Sequence, residues 1–184
     1  MKITDAANHF NIANIITFAN ITCGLVALYL VTQSAFFTAS IVAWCAGMLD
    51  IADGKVARRF NLSSEFGIQL DSFADFLSFV IMPAFFLFFG LSLETQGEKL
   101  LIGIILIWYV ISGLRRLVNF NLKAVSKTEL DRYFDGVPTP LGAILLWVLW
   151  LSFMGGLITN IWLIALIILL VALSLNSHIK IRHP

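Results

Sequence analysis

Asp50, Asp53, Asp71 and Asp75 carry most of the chemistry that this sequence offers. The first two are three residues apart and the last two four apart, so on helices each pair shares a face. Long apolar stretches flank all four, and carboxylates in such surroundings repel one another and are costly to desolvate. Protons or cations must offset them. Converging carboxylates make an all-oxygen site, suited to Mg²⁺, Mn²⁺ or Ca²⁺ rather than to a sulfur-ligated metal. Lys55, Arg58 and Arg59 stand between the pairs and can neutralise part of the charge. The Arg58 guanidinium also has the donor fork that suits a phosphate. Gly54, Ala57 and Gly67 keep bulk away from the acids, so a ligand can approach the backbone closely. The competing reading is a charged surface turn that merely ends two helices. Carboxylates at a membrane boundary and at helical spacing favour function over that reading.

The flanking stretches say what must hold these acids. The chain has 184 residues, 59% hydrophobic and 12% charged, with a mean hydropathy of +0.91. A soluble domain is nearer to about a quarter charged, and about 20 apolar residues suffice for a helix to cross a bilayer. The expectation is an all-α integral membrane protein, one domain over residues 1–184, with about six transmembrane helices. The expected spans are Asn14–Val31, Ala35–Val56, Glu65–Leu91, Leu100–Leu122, Pro140–Met154 and Leu157–Ser174. A tight turn around Asn61–Ser64 makes the second and third spans antiparallel neighbours, which lets the two aspartate pairs meet. Ile3, Ala6, Phe10 and Ala13 among polar neighbours suit a short interfacial helix at the N-terminus, with a disordered lead as the alternative. Polar residues there argue against a cleavable signal. No tandem repeat is visible.

Of the twelve Lys and Arg residues, only Lys99 falls on one side of the alternating connections. The positive-inside rule then puts both termini and the aspartates at the cytoplasmic face of the cell membrane. A net charge of +1 implies no bulk attraction to nucleic acid. Cys23 and Cys45 lie in apolar runs and lack metal-binding spacing. His9, His178 and His183 sit near the ends, and Trp108, Trp147, Trp150 and Trp162 read as packing or interfacial residues.

The full pattern is D-x-x-D-G-x-x-A-R, eight residues, then G-x-x-x-D-x-x-x-D, filled by Asp50, Asp53, Gly54, Ala57, Arg58, Gly67, Asp71 and Asp75. It resembles the signature of the CDP-alcohol phosphatidyltransferase family. That resemblance implies six helices around a cytoplasm-facing site, a homodimer, and transfer of a phosphatidyl group from a CDP-linked lipid to an alcohol with release of CMP. It implies that Asp50, Asp53 and Asp71 bind divalent metal, Mg²⁺ or Mn²⁺, and that Asp75 is the general base with a metal contact of its own. The chemistry agrees, since a pyrophosphate needs cations as its bond breaks and an alcohol needs a base.

Other segments bear on the acceptor. Asn14, Thr17, Asn20 and Gly24 in "NIITFANITCG" match the first-helix pattern P-N-x-x-T-x-x-N-x-x-x-G of the members that use L-serine, with Ala13 in place of the proline. Asn14, Thr17 and Asn20 then read either as contacts to the cytidine or phosphates of CDP-diacylglycerol or as polar residues joining helices. "SEFGIQLDSFADFLSFVIMPA" is similar to the same group's third helix. "YFDGVPTP" resembles its F-x-G-L-P-x-P turn, with Val137 for leucine, and "NSHIKIRHP" its S-N-I-R ending. "RRLVNFN" resembles its L-R-L-A-R-F-N helix, with Arg116 on the first arginine and Asn119 replacing the second. Arg116 and Asn119 are therefore the acceptor candidates, against plain snorkelling of Arg115 and Arg116. The alternatives are another acceptor, glycerol 3-phosphate or inositol phosphate, and a divalent-cation transporter, which would more often show inverted repeats.

Overall fold

The computed structural model describes residues 11–62, 64–125, 133–135, 137–177 and 180–182. The interfacial helix expected at the N-terminus and all three histidines lie outside them. The described chain is helical apart from one short strand pair: α1 (Ile12–Thr32), α2 (Phe36–Arg59), α3 (Glu65–Asp75), α4 (Met82–Gly90), α5 (Gln96–Val125), β1 (Tyr133–Asp135), α6 (Thr139–Met154), α7 (Ile161–Ser174) and β2 (Lys180–Arg182). A π-helical turn, Phe76–Ile81, joins α3 to α4. Four helical stretches, Ile12–Thr32, Phe36–Arg59, Glu65–Gly90 and Gln96–Leu122, are long and apolar enough to cross a membrane; α6 and α7 are shorter apolar helices. The six expected spans are thus six apolar helical segments of an integral membrane protein. The 16 and 14 residues of α6 and α7 give a rise of roughly 21–24 Å, below the ~30 Å hydrocarbon core.

Packing divides the chain into two compact units, one ending at Ser78 and one beginning at Phe79. In the first, α1 packs against both α2 and α3. Its buried stripe is Asn14, Thr17, Asn20, Gly24, Ala27 and Val31, while Ile15, Phe18, Leu25 and Tyr29 are exposed. α2 buries Ala39, Ser40, Ala46 and Asp53 and exposes Phe37, Ile41, Trp44 and Met48. Small and polar residues inside with large apolar ones outside is the reverse of a soluble helix bundle. It is the pattern of helices packed in lipid, where close backbone approach and hydrogen bonds replace the hydrophobic drive. Gly24 shows the approach: a Cβ there would lie 3.0 Å from Ser78 Oγ and 3.2 Å from Leu77 Cδ2.

Local signals end these helices. Asn11 caps α1 by accepting from Asn14 N at 2.8 Å, and its own amide donates to the Leu62 carbonyl at 3.2 Å, tying the start of α1 to the α2–α3 turn. Asn61 makes that turn at φ +51°, a left-handed conformation that asparagine tolerates. Ser64 caps α3, accepting from Gly67 N at 3.0 Å.

In the second unit, α5 packs on α7, and α4 on α5 and α6. Pro83 has no N–H, so the carbonyl four residues back loses its helical donor. That carbonyl is Phe79's, and the buried Tyr109 hydroxyl donates to it at 3.0 Å. Left unmet, it would cost about 1–3 kcal/mol. Trp150 Nε1 donates to the Gly90 carbonyl at 3.2 Å, and its ring meets Phe86 edge-on at 4.8 Å. Trp150 is therefore core, whereas Trp108 and Trp162 are exposed. Thr95 and Glu98 form a reciprocal cap at the start of α5. β1 and β2 pair antiparallel with Phe134 opposite Ile181, and Val137 N donates to the Ser174 carbonyl at 3.1 Å. The "YFDGVP" turn and the tail, singled out separately in the sequence, are backbone partners.

Candidate active site

The helix spacing does to the aspartates what their sequence positions predict. Asp50 and Asp53 lie near the end of α2, and Asp71 and Asp75 in the last turns of α3. One carboxylate oxygen each from Asp50, Asp53 and Asp71 falls within 4.8 Å of the others. Asp53 is buried at 4% exposure, Asp50 half-buried and Asp71 exposed, so the cluster runs from the helix contact to the surface. Asp75 stands beside this trio, with its carboxyl close to that of Asp50. Two carboxyls so close need a proton or a cation between them.

The site fits a hard divalent cation on its own evidence. The donor set is all oxygen. Among the described residues, Asp53 Oδ2 is a buried carboxylate oxygen with no hydrogen-bond partner, which is costly unless a cation or proton meets it.

The buried polar face of α1 supports the acids from behind. Asn20 is fully buried, and its Nδ2 donates to Asp50 Oδ1 at 3.4 Å. Ser78 Oγ donates to Asn20 Oδ1 at 2.8 Å. Thr17 lies within reach of the Asp53 carboxylate while its hydroxyl donates to the Ala13 carbonyl at 3.1 Å. Asn14 faces α3, where a Cβ on Gly67 would come 2.9 Å from Asn14 Oδ1. Gly67 therefore has a packing reason for its size that the sequence did not suggest. Gly54 is different: its Cβ would meet only the Arg58 guanidinium, at 3.6 Å, because the exposed Arg58 side chain folds back one turn. Ala57 is half-buried on the same helix.

Arg116 and Asn119 lie on α5 in the second unit. Arg116 is half-buried, and its neighbours Arg115 and Asn119 are exposed. Ser78 is the site-facing residue that sequence reading missed. Its signal was available: a lone hydroxyl in an apolar run, three residues after Asp75 and so on the same helical face.

The family model for CDP-alcohol phosphatidyltransferase matches residues 10–175, and the chain belongs to that family. Among individual relatives, it is 31% identical to the CDP-diacylglycerol–serine O-phosphatidyltransferase of Helicobacter pylori over 72% of this chain and 54% of that one. It is 33% identical to the enzyme of the same name in Bacillus subtilis, over 73% and 72%, and 33% identical to that of Methanocaldococcus jannaschii, over 73% and 58%. The chain thus spans about half the length of the Helicobacter relative that it matches.

Proposed function

We propose that this chain transfers a phosphatidyl group from CDP-diacylglycerol to L-serine, giving phosphatidylserine and CMP. The observation that carries the reading is the convergence of Asp50, Asp53 and Asp71 within 4.8 Å, with Asp75 against Asp50. Family membership and the names of the relatives support it. The family match also speaks against a cation transporter.

Asp50, Asp53 and Asp71 would hold Mg²⁺ or Mn²⁺, with Asp75 contributing through its contact with Asp50. Such a cation, when bound, offsets the charge of the pyrophosphate. Asp75 takes the proton of the serine hydroxyl as its oxygen bonds to the phosphorus that bears the diacylglycerol. The bond from that phosphorus to the bridging oxygen breaks, and CMP leaves with the electron pair. Gly54, Ala57 and Arg58 form the CDP-lipid side of the site, while Asn14, Thr17, Asn20 and Gly67 shape it from behind the aspartates. Arg58 is the residue among them with a cation to offer a phosphate. Arg116 and Asn119 bind the acceptor, Arg116 through the serine carboxylate. The site faces the cytoplasm from the cell membrane, in keeping with the Lys and Arg bias of the connections.

Arg116→Ala should raise the serine KM about ten- to a hundredfold, the worth of a charged hydrogen bond of about 1.5–3 kcal/mol. The check is serine-dependent CMP release against serine concentration; an unchanged KM removes Arg116 from the acceptor site. We further expect a homodimer, since small residues on several helices permit close pairing. Mass measurement in nanodiscs should give two chains, and a persistent active monomer contradicts this.

A further inference from the structure

Ser78 bonds differently from several other helical hydroxyls among the described residues. Ser40, Ser72 and Ser152 each donate to the carbonyl four residues back, as do Thr17 and Thr22. That is the default for Ser and Thr within a helix. Ser78 instead sends its proton across to α1, to Asn20 Oδ1 at 2.8 Å. It sits inside the π-helical turn Phe76–Ile81, where the regular hydrogen-bond ladder is interrupted. Gly24 makes the crossing possible, since a Cβ there would come 3.0 Å from Ser78 Oγ. A hydrogen bond across to α1, a π-helical turn and a close glycine contact thus meet at one hydroxyl.

The acceptor of that bond decides what it does. An asparagine side chain has one oxygen and one NH₂, and a fully buried one cannot turn to water to satisfy either. With Ser78 on its oxygen, Asn20 must present Nδ2 to Asp50 Oδ1. Turned the other way, its oxygen would face a carboxylate. The 3.4 Å contact to Asp50 is at the long end for an N–H···O bond, so it is the weaker of the two bonds that Asn20 makes. The stronger bond from Ser78 fixes the direction of the weaker one.

We propose that Ser78 is a positioning residue: through Asn20 it fixes the orientation of the Asp50 carboxylate, and with it the affinity of the aspartate cluster for a divalent cation. This rests on the metal role given to Asp50 above. Partners one shell out from a metal ligand commonly change metal affinity by about 10–100-fold when removed.

The test is Mn²⁺ binding to the full chain in detergent, read as the loss of the free Mn²⁺ signal in electron paramagnetic resonance, without substrates. Ser78→Ala should weaken binding about tenfold, the low end of that range, and Ser78→Thr, which keeps the hydroxyl, should bind more tightly than Ser78→Ala. Asn20→Ala should weaken binding at least as much. Ser78→Ala combined with Asn20→Ala should be no worse than Asn20→Ala alone, because Ser78 acts only through Asn20. Additive losses, or wild-type affinity in Ser78→Ala, overturn the proposal and leave the metal site standing. A loss of affinity matched by an equal loss of metal-free thermal stability in every variant also overturns it, as a folding effect. Wild-type protein that binds no Mn²⁺ overturns the metal role itself and this proposal with it.

Discussion

Asp75→Asn should lower phosphatidyl transfer about 10²–10⁴-fold, the usual cost of losing a general base. The change keeps the shape of the side chain and its ability to meet Asp50, with which Asp75 is in contact. It removes the negative charge and with it the capacity to take a proton. Asp75 stands outside the three-carboxylate group, so its loss leaves Asp50, Asp53 and Asp71 in place. Binding of CDP-diacylglycerol should therefore survive in Asp75→Asn better than in Asp50→Asn, which takes a ligand from the centre of the cluster. Turnover and CDP-lipid binding measured on both variants separate the roles. Near-wild-type turnover in Asp75→Asn removes it from the base role.

Stripping divalent metal should abolish activity, and Mg²⁺ or Mn²⁺ should restore it. Three carboxylate oxygens within 4.8 Å, one neighbour buried and unpartnered on Asp53, already repel one another. A pyrophosphate brought against them adds more negative charge in a setting that screens poorly. Lys55, Arg58 and Arg59 are all exposed and offset little of it. Dialysis against EDTA followed by readdition is the measurement, and full turnover in verified metal-free buffer contradicts the account.

Much of this site was legible because it is local. A three- and a four-residue spacing on helices joined by a tight turn leaves few ways for Asp50, Asp53, Asp71 and Asp75 to avoid one another, and Asn61 makes that turn at positive φ. The apolar runs marked the helices for the same reason: composition alone satisfies a bilayer. What was not legible depends on pairing between distant residues. Ser78 and Asn20 are 58 positions apart, and nothing in either neighbourhood names the other. Gly67 looked like room for a ligand, yet Asn14 occupies the space where its side chain would be. The π-helical turn after Asp75 has no composition signature. The pairing of β1 with β2 joins segments too short to carry an alternating pattern.

Phosphatidyl transfer to serine is tested by CMP release from purified protein given CDP-diacylglycerol and Mg²⁺ or Mn²⁺, with L-serine, glycerol 3-phosphate and inositol phosphate offered separately. CMP release should depend on L-serine and yield phosphatidylserine, with both phosphorylated acceptors far behind. A phosphorylated acceptor that outperforms serine contradicts the serine assignment, and no CMP release with any acceptor contradicts the transferase reading of the aspartate site.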